Sequence, residues 1–259
     1  PHARIQWLTQ LNRPTAQDLS ATSVEVRREA AFSLGFYDID PQDWVSPLVR
    51  ALDEADKDVQ FDAAYALGEL GPQADTAIDP LLRLLRSNDL TLRAAASNAV
   101  AKMGPKAASR LLELIDDPDR SIALAAVAAL GRMGSAGNDF VPGLIAAGER
   151  ISAQVALGHI DEERELYQEI GSSLSMVELG DAVPLVRELL KAEPPETRAF
   201  AAFAIGEIGP SAQECEPELQ TLLLDPNVIV RRNAAYALSR LDLPSNTSTT
   251  ALEAATKDS

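Results

Sequence analysis

The chain has 259 residues, 46% of them hydrophobic, which is enough apolar material to bury a sizeable core. Its formal net charge of −16 excludes the clustered basic surface that nucleic acid or an anionic membrane face would require. A single cysteine, Cys215, excludes an internal disulfide and fits a reducing, cytoplasmic compartment, and no apolar run reaches the roughly 18 residues of a membrane span.

A segment of about 33 residues recurs from residue 23 to residue 241, after an irregular stretch (1–22) that we expect to cap the first repeat. Its clearest copy, Val59–Gly71, reads VQFDAAYALGELG, and Gly68 within it marks the register. The corresponding markers in the other clear copies are Gly35, Ala101, Gly131, Gly206 and Ser239. A period of this length is typical of a solenoid whose repeats bury their apolar faces on one another.

Each repeat reads as two helices. Apolar residues at helical spacing form a first helix, and Gly71-Pro72 then ends it in the clearest copy. The second helices are predicted around residues 45–52, 77–86, 107–115, 139–147, 183–191 and 215–224. Strand patterns are nearly absent, so the sequence predicts an all-α fold, an α–α superhelix of six to seven two-helix repeats.

The register fails between about residues 148 and 182. Gly158 would mark a degenerate copy there, and Gly171-Ser172-Ser173 suggests a loop or hinge. An insertion in a solenoid often lies on the binding face, while simple degeneracy explains the pattern equally well. The polar residues to test in this segment are His159, Asp161, Glu162, Glu165 and Tyr167. The small polar tail, 242–259, is predicted to be disordered.

Two further patterns have both a structural and a functional interpretation. Tyr37, Trp44 and Tyr65 are candidates for aromatic contacts with a partner, although they also suit the covering of an exposed repeat. Arginines recur near the start of the first helices, and aspartates recur after the second helices. Stacked repeats would bring them together, and ion pairing between repeats is favoured over a ligand-binding strip. These residues are Arg27, Arg93, Arg198 and Arg231, with Asp53, Asp116 and Asp225.

The chemistry of an enzyme is not visible in the sequence. Only two histidines occur, His2 and His159, so neither a zinc site nor a symmetric dimetal site is expected. Carboxylates flank Cys215 and disfavour its thiolate. No phosphate-binding glycine loop is present. The sequence therefore favours a non-catalytic protein without a metal or cofactor.

The repeat core V-R-x-x-A-A-x-A-L-G-x-[LI]-G resembles the short HEAT-like repeat of the phycobilisome lyase type. It stands at Val26–Gly35, Val59–Gly71, Thr197–Gly209 and Val230–Leu241. The resemblance implies a right-handed α–α superhelix. It also implies functions known in that family, namely subunits of bilin lyases that act on phycobiliproteins, and cyanobacterial adaptors, some of which associate with iron–sulfur assembly.

Our first hypothesis is a scaffold that binds a protein partner on a concave face formed by the second helices. Arginines outnumber lysines there, which favours an acidic partner. The candidate residues are Arg50, Arg83, Arg86, Arg110, Glu113, Arg187 and Glu188. The alternatives are a bilin lyase subunit or chromophore chaperone that binds a bilin transiently, and a partner in iron–sulfur cluster assembly. Pairing with a second repeat protein as a hetero-dimer stays open.

Overall fold

The computed structural model describes residues 15–34, 42–134, 140–156, 160–176 and 179–242. These residues form α-helices and short 3₁₀ segments, with no strand among them. The expected all-α fold of two-helix, HEAT-like repeats is therefore confirmed. Most of the expected N-terminal cap (1–14) and nearly all of the expected disordered tail (243–259) lie outside the described residues.

The helices alternate between the two positions of a repeat. The first helices are α1 (Val24–Leu34), α3 (Lys57–Leu70), α5 (Leu90–Ala101), α7 (Arg120–Arg132), α9 (Ile160–Met176), α11 (Pro195–Ile208) and α13 (Val228–Arg240). The second helices are α2 (Gln42–Ala51), α4 (Ile78–Leu84), α6 (Pro105–Leu114), α8 (Val141–Ala156), α10 (Leu179–Leu189) and α12 (Glu216–Leu222). The 3₁₀ segments are Asp18–Ser20, Gly71–Ala77 and Gly209–Cys215.

The contacts within the chain divide it into two compact units, an N-terminal unit (1–107) and a C-terminal unit (108–259). Within the N-terminal unit, α3 packs on α1 and α5. Within the C-terminal unit, α9 packs on α7 and α11, and α11 packs on α13. In each unit, the first helices of successive repeats therefore pack against one another.

The segment that breaks the sequence register forms regular helices. Gly171-Ser172-Ser173 lies inside α9, so the predicted loop at this point is wrong. Gly171 is the fifth repeat's register marker, because a side chain there would meet Phe203 of the next repeat. The predicted marker, Gly158, lies outside the described residues. The preceding second helix, α8, has 16 residues, and its length displaces the fifth repeat from the 33-residue period.

The register glycines permit close approach between repeats. A Cβ atom built on Gly68 would lie 2.8 Å from the Ala99 Cα atom, and one on Gly206 would lie 2.7 Å from the Tyr236 ring. Both distances are shorter than ordinary van der Waals contact. Glycine is therefore required where a helix of one repeat presses against the backbone or a ring of the next.

Four of the first helices begin with the same capping arrangement. In α3, the side chain of Asp56 accepts hydrogen bonds from the backbone N–H groups of Asp58 and Val59, at 3.0 and 3.1 Å. Such a cap stabilises a helix by about 1 kcal/mol. The corresponding caps of α5, α7 and α13 are Asp89, Asp119 and Asn227, whereas α11 follows Pro194 and has no side-chain cap.

The recurring arginines hold the turn that precedes their own helix. Each guanidinium donates to backbone carbonyl groups five or six residues earlier in the chain. For Arg198 these are the carbonyls of Ala192 and Glu193, at 2.7 and 2.6 Å. The other arginines with this contact are Arg27, Arg93 and Arg231. The structural interpretation of this row is confirmed.

Two of these arginines also pair with an acid of the following repeat. Arg198 forms a bidentate pair with Asp225, at 2.7 and 3.2 Å, and Arg27 lies 3.4 Å from Glu54. The Asp225 side chain is only 5% exposed, and its carboxylate also accepts the backbone N–H of Asn227 at 2.8 Å. One buried carboxylate therefore joins two repeats and orders the turn before α13.

The predicted row of acids is wrong by one position in two repeats. Glu54, and not Asp53, occupies the place that corresponds to Asp225, two residues before the cap. Asp117 occupies it in the third repeat, where it is buried and accepts a backbone N–H at 2.9 Å. Asp116 instead points outward, with 66% of its side chain exposed. The sequence places both residues of each pair in the turn, so it does not distinguish the inner acid from the outer one.

Replacement of Arg198 by alanine should lower the free energy of unfolding by about 3 kcal/mol, because it leaves the Asp225 carboxylate buried without its counter-charge. Urea unfolding followed by circular dichroism measures this change. Arg232→Ala is the matched control, because Arg232 is exposed and forms no ion pair with the described residues. Its effect should stay within about 0.5 kcal/mol. Equal effects of the two substitutions would contradict this role of Arg198.

The contribution of Asp225 should depend on pH. Burial raises its pKa, but the hydrogen bonds from Arg198 and Asn227 and the charges of Arg198 and Arg231 outweigh burial and hold the pKa below 3.8. A lowered pKa stabilises the fold above the pKa of the unfolded state, and this stabilisation is lost as the pH falls. Asp225→Asn should therefore destabilise the protein strongly near pH 6 and progressively less below about pH 4. A stability difference that is constant with pH, in urea titrations, would refute this.

Gly206→Ala should destabilise the C-terminal unit by about 1–3 kcal/mol, because its new methyl group would overlap the Tyr236 ring and approach the Ala237 backbone at 3.1 Å. Gly143→Ala is the control, since the methyl there meets only the flexible end of Leu112. That substitution should be neutral or slightly stabilising, because alanine favours the helix. Thermal unfolding of both variants compares them directly.

Candidate functional site

A groove with a volume of about 620 Å³ lies on the first helices of the C-terminal unit. Its walls come from α9, α11 and α13, with Ser152 of α8 at its edge. The side chains that define it face the same side of their helices because they recur at helical spacing, as in Glu196, Ala199, Phe203 and Glu207 of α11. A cavity of this size matches those that bind ligands or partner side chains.

A row of three aromatic rings runs across the groove, one from each helix. Tyr167 and Phe203 are stacked, with ring centroids 4.8 Å apart, and Phe203 and Tyr236 follow at 5.9 Å. Gly171 and Gly206 provide the space against which Phe203 and Tyr236 pack. The glycines that set the spacing of the repeats therefore also position the rings.

Polar groups between the rings are held by hydrogen bonds. Asn233 donates to the backbone carbonyl of Ala199 at 2.9 Å and to the Tyr167 hydroxyl at 3.4 Å. The Tyr236 hydroxyl donates to Glu207, which also accepts from Ser172 at 3.4 Å. These hydrogen bonds hold the side chains of the groove in place, which lowers the ordering cost of binding.

Both tyrosine hydroxyls stay neutral. Burial raises the pKa of Tyr167 far above its usual range, and hydrogen bonds from Ser152 and Asn233 only partly oppose this. Burial also raises the pKa of Tyr236, and its acceptor Glu207 raises it further. The two side chains therefore serve as apolar rings with a fixed hydrogen bond and do not act as anions.

The middle helix carries a small residue in the lining of the groove. Ala199 lies seven residues before the marker Gly206. The corresponding residues of α3 and α5 are Phe61 and Ala94.

Three charged residues line the groove, and two of them have no described partner. Arg232 is exposed and Glu196 is half-buried, and neither forms a side-chain hydrogen bond or ion pair with the described residues. Glu207 is the third, and its carboxylate already accepts two hydroxyl groups. Arg232 and Glu196 can therefore contribute new charged contacts to a bound group.

The residues predicted on the second helices are mostly exposed, but several are engaged within the chain. Arg110 pairs with Glu113, and Arg187 lies 2.9 Å from Glu218 and 3.5 Å from Glu214. Glu188 is 3.9 Å from Lys191. The hydrogen bond to Glu218 raises the pKa of Arg187 more than burial lowers it. The Arg187 guanidinium is therefore charged and held in place by its acidic neighbours. The remaining predicted residues, Arg50, Arg83 and Arg86, lie on the surface of the N-terminal unit.

The three residues predicted as aromatic contacts have different environments in the structure. Trp44 is only 8% exposed and belongs to the core of the first repeat, so its proposed role as a surface contact is wrong. Tyr65 is 37% exposed and carries the Lys102 ammonium 5.7 Å from its ring centroid. Tyr37 lies outside the described residues.

Of the residues predicted as candidates in the irregular segment, one lines the groove. Tyr167 lines it, and Glu165 is exposed on the same helix. Asp161 and Glu162 belong to α9, although the structure does not describe their side chains, and His159 lies outside the described residues. One sequence pattern could have indicated the other two rings of the groove. An aromatic residue stands three positions before the register marker in both repeats, Phe203 before Gly206 and Tyr236 before Ser239.

No metal-binding chemistry is visible in the described part of the chain. Among those residues, no group of three or more histidine, cysteine, aspartate or glutamate side chains could hold an ion. Cys215 is buried in the C-terminal unit, and burial raises the pKa of its thiol to about 11. No helix in the described ranges has the length and apolar character needed to span a membrane.

The chain belongs to the HEAT-repeat family. The profile of HEAT repeats matches residues 13–101, 78–150 and 182–259, which together cover most of the sequence. No curated protein matches the sequence. Family membership agrees with the two-helix repeats and with the recurring glycine, cap and arginine contacts.

Several solved structures are similar to this chain at low sequence identity. Kap121p matches 88% of this chain over 29% of its own length, with a TM-score of 0.51 and 13% identity. The complex of CpcE and CpcF of phycocyanin lyase from Nostoc sp. PCC7120 matches 93% of this chain over 92% of its own, with a TM-score of 0.43 and 21% identity. An engineered protein matches 92% over 70%, with a TM-score of 0.42 and 21% identity.

Proposed function

We propose that this protein is a non-catalytic interaction scaffold and that it binds a protein partner through the groove on α9, α11 and α13. The observation that carries the proposal is the preformed row of Tyr167, Phe203 and Tyr236 over the small residue Ala199. Aromatic residues concentrate binding energy at protein interfaces, and well-packed pockets are the places where they do so. HEAT and armadillo solenoids are typical scaffolds for protein partners.

Further large apolar side chains are exposed close in sequence to the groove. Ile229 lines it, and Leu224 and Val228, which precede Ile229 in the chain, are 75% and 64% exposed. Exposed apolar patches are typical of surfaces that a partner covers. The face of the second helices, which the sequence favoured, offers in the C-terminal unit arginines that already pair with acids, such as Arg187. The groove is therefore the better-supported surface.

Substitution of Ile229 by glutamate should abolish partner binding, because it places a charge on the apolar wall of the groove. The tagged full chain is used to purify partners from native lysate, and captured proteins are quantified by mass spectrometry. The partner is then purified and its affinity measured directly. Ile229→Glu should weaken that affinity at least about tenfold, which corresponds to roughly 1.4 kcal/mol.

Arg83→Glu is the matched control on the second helices, since Arg83 is exposed on α4. It should leave binding unchanged. Loss of the partner with Arg83→Glu but not with Ile229→Glu would assign binding to the face of the second helices and overturn the groove proposal. Circular dichroism of both variants verifies that each is folded.

A chromophore-binding role is the second candidate, because the groove has the size of a ligand pocket and an aromatic lining. A bilin carries two propionates, which require cations. Arg232 is the one basic residue among those that line the groove, and Glu196 and Glu207 would oppose a second carboxylate. A visible absorption band in the purified complex would support this role. A colourless complex would contradict it and favour the scaffold proposal.

A further inference from the structure

We propose that the partner presents a basic segment to this groove, with an apolar side chain seated on the aromatic row and a cationic side chain toward each of Glu196 and Glu207. This inference rests on the proposed function and names the chemistry of its partner. It differs from the acidic partner that the arginines of the second helices suggested.

The first argument is the charge of the unit that contains the groove. Residues 108–259 carry 24 acidic and 12 basic residues, a net charge of −12 out of −16 for the chain. Most of the negative charge of the protein therefore lies in the unit that contains the groove. A field of this sign attracts basic segments and speeds their association.

The second argument is the state of the carboxylates that line the groove. Glu196 has no described side-chain partner. Glu207 accepts only the hydroxyls of Tyr236 and Ser172, so its two oxygens retain free lone pairs. Both carboxylates can accept from a cation without breaking a contact of the fold.

The third argument is the geometry of α11. Glu196 and Glu207 are eleven residues apart on one face of a continuous helix, which separates them by about 16 Å. In an extended peptide, residues an even number of positions apart share a face, and residues four positions apart span about 13 Å, which flexible lysine side chains extend. Ala199 and Phe203 lie between the two carboxylates, at the level where an apolar side chain of the segment would enter. The segment therefore carries two basic residues about four positions apart with an apolar residue midway between them.

The remaining charged residue of the groove suits the backbone of such a segment. Arg232 stands on α13 beside the floor and presents its guanidinium donors to the groove. An extended backbone offers a carbonyl acceptor at every residue. Arg232 thus favours a spaced pair of basic residues over a continuous basic run, since adjacent cations would meet its charge.

The experiment uses synthetic six-residue peptides labelled with a fluorophore and the purified full chain. The first peptide has lysine at its first and fifth positions and phenylalanine at its third, so that all three side chains share one face when it is extended. The second replaces both lysines by glutamate, and the third places the lysines side by side. Fluorescence anisotropy should show the first peptide binding at least about tenfold more tightly than the second, with an affinity that falls as salt is added.

Glu196→Gln tests the site on the protein. It removes one charge without changing the shape, so it should weaken the first peptide about three- to fivefold. Glu188→Gln is the matched control, because Glu188 is exposed on α10 and does not line the groove. It should leave the affinity unchanged. Equal effects of the two variants, or equal binding of the basic and acidic peptides, would overturn the inference.

The two proposals fail in different ways. If no basic peptide binds although Ile229→Glu still abolishes capture of the natural partner, the basic segment is rejected and the groove keeps its function. If Ile229→Glu leaves the natural partner bound, the proposed function is rejected before the question of charge arises.

Discussion

Close contact between the first helices of successive repeats is the constraint on which the rest of this fold depends. A register position without a side chain, such as Gly68 or Gly206, lets the next repeat approach to within ordinary contact of the helix backbone. Because a repeat cannot bury its apolar face alone, this contact supplies the core. The capped turns and the arginine contacts then hold each first helix at the angle that the contact needs.

The groove is a product of the same contact. Phe203 and Tyr236 pack against the glycines beneath them, so three aromatic rings line up from three successive repeats. The contacts that build the repeat array therefore also position the side chains that form the groove.

Much of the fold was readable from the sequence, and the residues show why. Gly68 and Gly206 recur with fixed neighbours, since helix packing demands them, and periodicity reports packing well. The fifth repeat was misread because the long α8 shifts Gly171 out of the period. Trp44 was misread because aromatic character does not reveal exposure. The groove escaped prediction because its rings come from three different repeats, and their proximity follows from how the helices pack and not from their spacing in the sequence.

The bidentate pair of Arg198 and Asp225 has a consequence for how stability spreads along the chain. Asp225 is bound both by an arginine of the sixth repeat and by the backbone that starts α13, so α13 cannot separate from α11 without breaking this charge pair. In a repeat array each repeat is stabilised by its neighbours, and a charge pair of this kind strengthens one such interface. The pair therefore keeps the α13 wall of the groove in the same cooperative unit as α11.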